Sequence, residues 1–204
     1  GNTTGNISIG GDITTSGGTV TSSGAGKAGG NVSIEARNAG TLTISTGADI
    51  TTTGSAAHTS GAGGAGGTVT LNTAATALTL NDTLISTAGG AGAGGGAVGN
   101  GGTITVSDPL SIATGEVQFN TGTGSTAGDI TTSTIDGATS LNLTYGGGTL
   151  STGLIGSNTA LTGLTYSGTA LTLDNNITLN SGALTISAPV TLGSDITVTT
   201  NNGA

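Results

Sequence analysis

The sequence predicts an all-β protein, a β-solenoid in which three short strands make each coil. Two observations carry this prediction. Short runs that alternate Ile, Leu or Val with Thr or Ser recur along the chain, and Gly-rich turns separate them. These runs recur in groups of three, at spacings typical of solenoid repeats. No stretch shows the period of an amphipathic helix.

The clearest coil starts at residue 68. Residues 68–71, 78–80 and 84–87 form its three runs, and the pattern restarts at residue 103. Equivalent coil starts are assigned to Ile7, Val32, Val69, Ile104 and Ile130. The steps between these starts are 25, 37, 35 and 26 residues. In the coil that starts at Ile7, this assignment puts Ile13 in the second run and Val20 in the third.

We expect one solenoid segment over residues 1–204, with about seven coils and a length of roughly 34 Å. Residues 1–128 carry long Gly/Ala loops, and residues 129–204 form tighter coils. Residues 154–164 give no clear register. An antiparallel meander is the competing arrangement, but it needs tight hairpins. The dipeptides that favour such hairpins, such as those at residues 136–137 and 202–203, are too few for a meander of this length.

Composition excludes several classes of function. The net charge is -8, and Lys27 and Arg37 are the only strong bases, so a surface that follows nucleic-acid phosphates is excluded. Phe119, Tyr145 and Tyr166 are too few for base stacking and are expected to pack at corners. No apolar run is long enough for a membrane span. The chain lacks Cys and Met, and we interpret it as a fragment or a mature segment.

No residue pattern predicts catalysis or a cofactor. His58 is the only histidine and lies in a Gly/Ala loop, so we expect it to be solvated rather than bound to a metal. Asp12, Asp49 and Asp129 each precede an Ile and are expected to cap strand starts or corners. The Gly-rich loops lack the recurrent Asp that calcium-binding repeats need. A carbohydrate-active β-helix enzyme stays an alternative, although no carboxylate pair is evident.

Threonine patterns raise a second alternative, an ice-binding solenoid. Thr41-Leu42-Thr43 and Thr68-Val69-Thr70 would project pairs of hydroxyls from stacked coils. Such pairs are scattered over several runs, so we favour the simpler interpretation that Thr fills outward strand positions.

Four Gly/Ala loops follow the third run of consecutive coils, at residues 22–30, 54–67, 88–102 and 120–128. We expect them to leave the body along one edge, to stack, and to be held by backbone hydrogen bonds. This edge is predicted to be a contact surface. Its candidate residues are Lys27, His58, Gly64, Gly94 and Gly124.

The two ends of the chain predict assembly. No capping helix or charged edge is evident, so the terminal coils would expose strand edges and apolar interior. If Ala204 is written directly before Gly1, the join resembles residues 117–130, which suggests one unit of a longer array. The candidate residues for end-to-end stacking are Ile7, Ile9, Ile196 and Val198.

Several stretches resemble the shafts of filamentous-haemagglutinin-like proteins and other large bacterial adhesins. They are the coil starts at 29–34 and 66–71, the Asp-Ile-Thr-Thr runs at 12–15, 49–52 and 129–132, and residues 161–164, 171–173 and 190–192. The resemblance implies a right-handed parallel β-helix on the bacterial cell surface. We therefore expect a non-enzymatic, extracellular shaft or adhesin segment. Its expected partners are copies of itself stacked head to tail, or flanking repeats of the same chain, and host or surface glycans.

Overall fold

The computed structural model describes residues 5–74 and 78–201. The described chain forms 20 β-strands and no helix. All pairings between named strands are parallel, and each strand pairs with strands from neighbouring coils. The protein is therefore a parallel β-helix, as the sequence predicts.

Three sheets wrap the core, here named the first, second and third faces. The first face has the order β1-β4-β7-β10-β13: β1 (Ile7–Ile9), β4 (Leu42–Ile44), β7 (Leu78–Asn81), β10 (Leu110–Thr114) and β13 (Ile135–Gly137). The third face has the order β15-β12-β9-β6-β3: β15 (Leu150–Ser151), β12 (Ile130–Thr132), β9 (Ile104–Val106), β6 (Val69–Asn72) and β3 (Val32–Glu35).

The second face belongs to an eight-stranded sheet, whose residues 177–180 and 198–201 turn the corner and lie in line with the first face. Its strands in order are β2 (Ile13–Thr14), β5 (Ile50–Thr51), β8 (Leu84–Ser86), β11 (Val117–Asn120), β14 (Ser140–Gly146), β16 (Leu161–Gly168), β18 (Ile177–Ser187) and β20 (Val198–Asn201). A two-stranded sheet, β17 (Leu171–Leu173) with β19 (Val190–Leu192), completes the fold.

Strand register confirms three of the four predicted steps and corrects the first. Val32 pairs with Val69, Val69 with Ile104, and Ile104 with Ile130. Ile7, however, pairs with Leu42 on the first face, so it is not equivalent to Val32. Val20 is not in a strand. The three runs of a coil are chemically alike, so spacing alone assigned Ile7 to the wrong face.

The interior is a single column of inward aliphatic side chains. Most of them are fully buried, because alternate residues of each strand point inward and are covered by the coils on both sides. Outward neighbours such as Thr79 and Thr105 stay partly exposed. Most inward positions hold one Ile, Leu or Val side chain, which explains the Ile/Leu/Val–Thr alternation.

The three aromatic residues are in this column, not at corners as expected. Phe119, Tyr145 and Tyr166 are each 0% exposed. Phe119 stacks on Leu143, which stacks on Tyr166 in the next coil. Burial raises the pKa of both tyrosines. The Tyr145 hydroxyl donates to the Ala170 carbonyl at 2.9 Å, whereas the Tyr166 hydroxyl lies near the Thr152 side chain but makes no hydrogen bond of good geometry in the described chain.

Residues 154–164, which gave no register from sequence, contain one bridging residue and the start of β16. Ile155 bridges Ile135 and Ile177 on the first face. β18 then passes through a corner near Ser181, whose φ is +57°. Residues 177–180 of β18 pair with β20, and residues 183–187 pair with β16. The stack accordingly has about seven coils, followed by β20.

Candidate functional site

The four Gly/Ala loops stack on one another along one edge, as predicted. We call them the first to fourth glycine loops: residues 15–31, 52–68, 87–103 and 121–129. Each connects a second-face strand to the third-face strand of its coil. In the first three, an outgoing arm leaves the body and a return arm comes back beside it. Together the arms form a two-layered slab.

Hydrogen bonds within this slab recur every three residues. In the return arms, Gly26 and Gly29 donate to the carbonyls of Ala62 and Ala65, at 2.8 and 2.9 Å. In the second loop, Gly64 donates across to Ser55 of the outgoing arm at 2.9 Å. Each arm is thus bonded along the slab and across it. A three-residue period is that of the polyproline II conformation, which has no hydrogen bonds within one chain.

Glycine is required where the two layers meet. A Cβ on Gly64 would lie 1.9 Å from the Lys27 carbonyl oxygen, and one on Gly90 would lie 1.9 Å from that of Ser55. Both obstacles are backbone atoms that side-chain rotation cannot move. A Cβ on Gly18, at the slab margin, would meet nothing within 4 Å. The Gly-rich composition of these loops is therefore a packing requirement, as in other close-packed bundles of extended chains.

A threonine closes the neck of every glycine loop. We call Thr15, Thr52, Thr87 and Thr121 the clasp threonines. Each hydroxyl donates to a return-arm carbonyl, on Gly30, Gly67, Gly102 and Gly128 respectively, at 2.6 to 2.7 Å. The N–H of the same glycine donates back to the threonine carbonyl at 2.6 to 3.5 Å. Except for Thr15, the clasp threonines are 0% exposed.

The clasp could have been found from the sequence. In the first three glycine loops, a threonine follows the inward residue of the second-face strand by two positions. Its glycine partner comes 15 residues later and is the second of a Gly-Gly pair. The fold of the chain brings the two together because both arms start at the same corner of the coil.

The five predicted contact residues occupy different environments. Lys27, His58 and Gly94 are exposed on the slab, and Gly124 is half-buried. Gly64 is buried between the layers, so its inclusion as a surface residue is wrong. The His58 N–H donates to the Gly24 carbonyl at 3.3 Å. The surface that partners can reach therefore comprises Lys27, His58 and Gly94 together with the outward Ala, Ser and Thr residues of the arms.

The four residues predicted to stack end to end lie at opposite ends of the body. β1 pairs only with β4, and β20 pairs only with β18. Ile7, Ile9 and Ile196 are half-buried, and Val198 is 44% exposed. Two further inward-type residues of the last coil are exposed, Val190 at 45% and Leu192 at 63%. No described residue covers either end.

The predicted join between the chain ends assigns the two terminal strands to the wrong faces of the coil. It aligned Val198 with the second-face strand β11 and Ile7 with the third-face residue Ile130. Val198 instead pairs with Ile177, in line with the first face, and Ile7 is on the first face too. A direct join would make the step between these equivalent positions 13 residues. The steps in the tighter coils are longer, 20 residues from Ile135 to Ile155 and 19 from Leu171 to Val190.

The acidic residues that precede Ile cap corners, as expected. The Asp12 carboxylate accepts from the Asp49 N–H at 3.1 Å, and the Asp49 carboxylate accepts from the Leu84 N–H at 2.9 Å. The Asp129 carboxylate accepts from the Thr149 N–H at 2.7 Å. In each case the donor belongs to the next coil, so these side chains fix the spacing between coils.

Residues 5–74 and 78–201 contain no group of three or more His, Cys, Asp or Glu side chains placed to hold a metal ion. The search for a helix long and apolar enough to cross a membrane found none in the described chain. No protein-family model matches the sequence, and neither a curated protein nor a solved structure matches it. The resemblance to filamentous-haemagglutinin-like proteins therefore stays a prediction.

Proposed function

We propose that the chain is a structural shaft or adhesin segment of an extracellular bacterial filament or giant surface protein. In this proposal it is not an enzyme, and its units assemble head to tail by stacking of coils. The observation that carries the proposal is the pair of open ends. Leu192 and Val198 are exposed at one end, and Ile7 and Ile9 are only half-covered at the other.

Open coil ends favour stacking for two physical reasons. Burial of exposed apolar side chains is favourable by about 25 cal/mol per Å² of apolar surface. A terminal strand also carries a row of unpaired N–H and C=O groups, which another strand can satisfy. The parallel pairing that joins coils inside the body would continue across the junction between two copies.

Sedimentation velocity of the purified chain over a range of concentrations tests this assembly. We expect species that grow with concentration, and rods by electron microscopy. The double variant Val190→Lys, Leu192→Lys should shift the distribution to monomers, because stacking would bury the added charges. Leu154→Lys is the control, since Leu154 is 40% exposed but lies between the two ends of the body, next to Ile155. A monomer at all concentrations would overturn the stacking proposal.

The location and the glycan partner need separate tests. Antibody labelling of intact bacteria that produce the natural protein should detect the chain without permeabilisation. Binding of the purified chain to an array of host and bacterial-surface glycans would identify a carbohydrate partner. Labelling only after permeabilisation would overturn the extracellular location.

Ice binding is a second candidate, because strand register favours it more than the sequence does. The Thr pairs of residues 68–70 and 103–105 lie in adjacent coils of the third face, with Thr70 paired to Thr105. The same outward row continues through Ser33, Thr131 and Ser151. The array is thus regular, not scattered. Thermal hysteresis that is lost in Thr70→Lys would support this candidate, and its absence would remove it.

A further inference from the structure

The slab of glycine loops ends in a step. The first three loops have long arms, whereas the fourth turns back early at Gly122, whose φ is +109°. The Gly122 N–H donates to the Asn120 side-chain oxygen at 2.9 Å, which fixes this turn. The outer part of the third loop therefore has no neighbour on that side. A groove of about 250 Å³ lies at the step, between the third and the fourth loops.

Three backbone N–H groups of the third loop point into this step. In the second loop, the N–H groups of Gly54, Ala57 and Gly63 donate to the carbonyls of the third loop at 2.9 Å. The equivalent N–H groups of the third loop belong to Gly89, Gly92 and Val98. None of these three has an acceptor among the described residues. The step is therefore an edge of donors that an added chain can reach, since Gly89 and Gly92 are half-buried and Val98 is exposed.

The shape of the slab restricts what can add to this edge. Gly17, Gly54 and Gly89 are equivalent positions in the outgoing arms of the first three loops, and an added arm would continue this series into the step. The position is therefore glycine in every one of these loops. A Cβ at Gly54 would lie 1.9 Å from the Gly64 carbonyl oxygen, and one at Gly89 would lie 1.8 Å from that of Gly99. A fourth arm must therefore be extended and must have glycine at every third residue where it faces the other layer.

We propose that this step binds a free, glycine-rich segment of two extended arms, which adds to the slab as a further pair of arms. Two carbonyls of its outgoing arm, three residues apart, accept from Gly89 and Gly92, and a carbonyl of its return arm accepts from Val98, as the third loop accepts from the second. The side chain of Val98, which is 51% exposed, gives the segment an apolar contact at the rim of the groove. This is strand addition carried over from β-sheets to polyproline-type chains.

The first glycine loop of a second copy is a weaker candidate for this place. Its Ala25 and Ala28 carbonyls correspond to acceptors inside the slab, and nothing in the described chain donates to them. However, strands β1–β3 of the second copy, which carry this loop, would need the space that β10–β12 of the first copy occupy beside the step. The occupant must therefore be a segment that has no coil attached directly beneath it.

A labelled synthetic peptide with the sequence of residues 54–67 tests the proposal by fluorescence anisotropy with the intact protein. We expect saturable binding. The same peptide with Gly63, Gly64, Gly66 and Gly67 replaced by Ala should not bind, because its side chains clash with the neighbouring arm. No saturable binding of the unmodified peptide up to about 1 mM, the weak end of specific recognition, would overturn the proposal.

Two protein variants at one position separate the hydrogen bond from the side-chain contact. Val98→Pro removes the N–H and keeps an extended backbone, so we expect peptide binding about three- to tenfold weaker. Val98→Thr keeps the N–H and a branched side chain of similar size, so its binding should match the parent protein. Equal binding by both variants would contradict a role for the Val98 N–H.

A third variant fills the step from within the chain. Replacement of residues 122–127 by a copy of residues 88–101 lengthens the fourth loop from nine residues to 17, the length of the third. Circular dichroism confirms that the fold is retained, and peptide binding should be lost. Unchanged binding would place the site elsewhere and overturn the proposal. If the parent protein dimerises and the peptide dissolves the dimer, the occupant is a second copy and a free segment is excluded.

Discussion

The first four coils and the later coils are built on the same β-helix but differ at one corner. In the first four, the chain leaves the second face, makes a glycine loop and returns through a threonine clasp. In the fifth, Tyr145 occupies the equivalent of the clasp position, because the Thr121 N–H donates to Thr144, the residue before Tyr145. A large side chain that fills the core replaces a hydroxyl that closes a loop.

This difference shows two ways of holding a thin solenoid together. The later coils depend on buried side chains, with Tyr145 and Tyr166 both 0% exposed. The earlier coils add a slab in which backbone hydrogen bonds hold the arms together and no side chain fits between the two layers. The first arrangement should tolerate changes in side-chain size within limits, and the second should tolerate almost no added atom between the layers.

The largest effect should come from a methyl group inside the slab. Gly64→Ala places a Cβ against the Lys27 backbone, so we expect a loss of about 3 kcal/mol in the free energy of unfolding. Hydrogen exchange should show lost protection in residues 52–68, while β16 and β18 stay protected. Gly18→Ala is the control and should change little, because its Cβ meets open space. Equal stability of the two variants would show that the layers are not close-packed.

The next effect concerns the clasp. Thr87→Val keeps the shape and removes the hydroxyl, which leaves the Gly102 carbonyl with one donor fewer in a buried neck. We expect a loss of about 1 to 3 kcal/mol in chemical denaturation. Thr87→Ser should recover much of it. Thr105→Val, on the outer surface of the third face, should lie within about 0.5 kcal/mol of the parent. A larger effect at Thr105 than at Thr87 would argue against the clasp.

In the later coils, the two tyrosines should respond differently to loss of the hydroxyl. Tyr145→Phe removes the bond to the Ala170 carbonyl and should cost about 1 kcal/mol. The Tyr166 hydroxyl is buried without a hydrogen bond of good geometry in the described chain, so Tyr166→Phe should be neutral or stabilising. Paired denaturation curves measure the difference. A cost at Tyr166 equal to that at Tyr145 would reveal a partner for its hydroxyl.

The smallest expected effect is a dependence on acid at the fifth coil. Burial works to raise the pKa of Asp136, but hydrogen bonds from Asn158, Thr159 and Ser157 outweigh it, so the pKa falls below its ordinary value of 3.8. The unfolded chain therefore takes up a proton at this group before the folded chain does. Its stabilising contribution is complete above pH 3.8 and is lost as the pH falls through the folded value.

Asp136→Asn should remove that part of the pH dependence. Urea denaturation midpoints measured at pH values from above to well below 3.8 would show a shallower acid slope in the variant than in the parent. The difference should be small because the carboxylate is partly exposed. Identical slopes would mean that other carboxylates set the acid response.

The sequence predicts the β-helix because alternation and coil length are local properties. The coil starts at Val32 and Val69 are recognisable, since Gly-Gly followed by Asn or Thr precedes each of them. The face to which Ile7 belongs is not recognisable, because the run that contains Ile7 resembles the runs of all three faces. Register there depends on which coil lies next to it, and that information is spread over 35 residues, from Ile7 to Leu42.

The candidate site is less predictable for a similar reason. The stacking of the loops follows from their positions in consecutive coils, but the burial of Gly64 does not. Gly64 is buried because the return arm packs on an outgoing arm of its own coil and of the next. Flexible glycine and close-packed glycine look the same in a sequence, unless the three-residue spacing of Gly26 and Gly29 or of Gly63 and Gly66 is noticed.

The direction of the hydrogen bonds has a mechanical consequence. β1 and β20 lie at opposite ends of the body, and the bonds between coils run along the line that joins them. A force that pulls the two ends apart therefore acts on one coil-to-coil junction after another and peels the solenoid from an end. In the first four coils the slab adds bonded arms to each junction. Under tension the later coils should unwind first, while the coils with glycine loops stay wound.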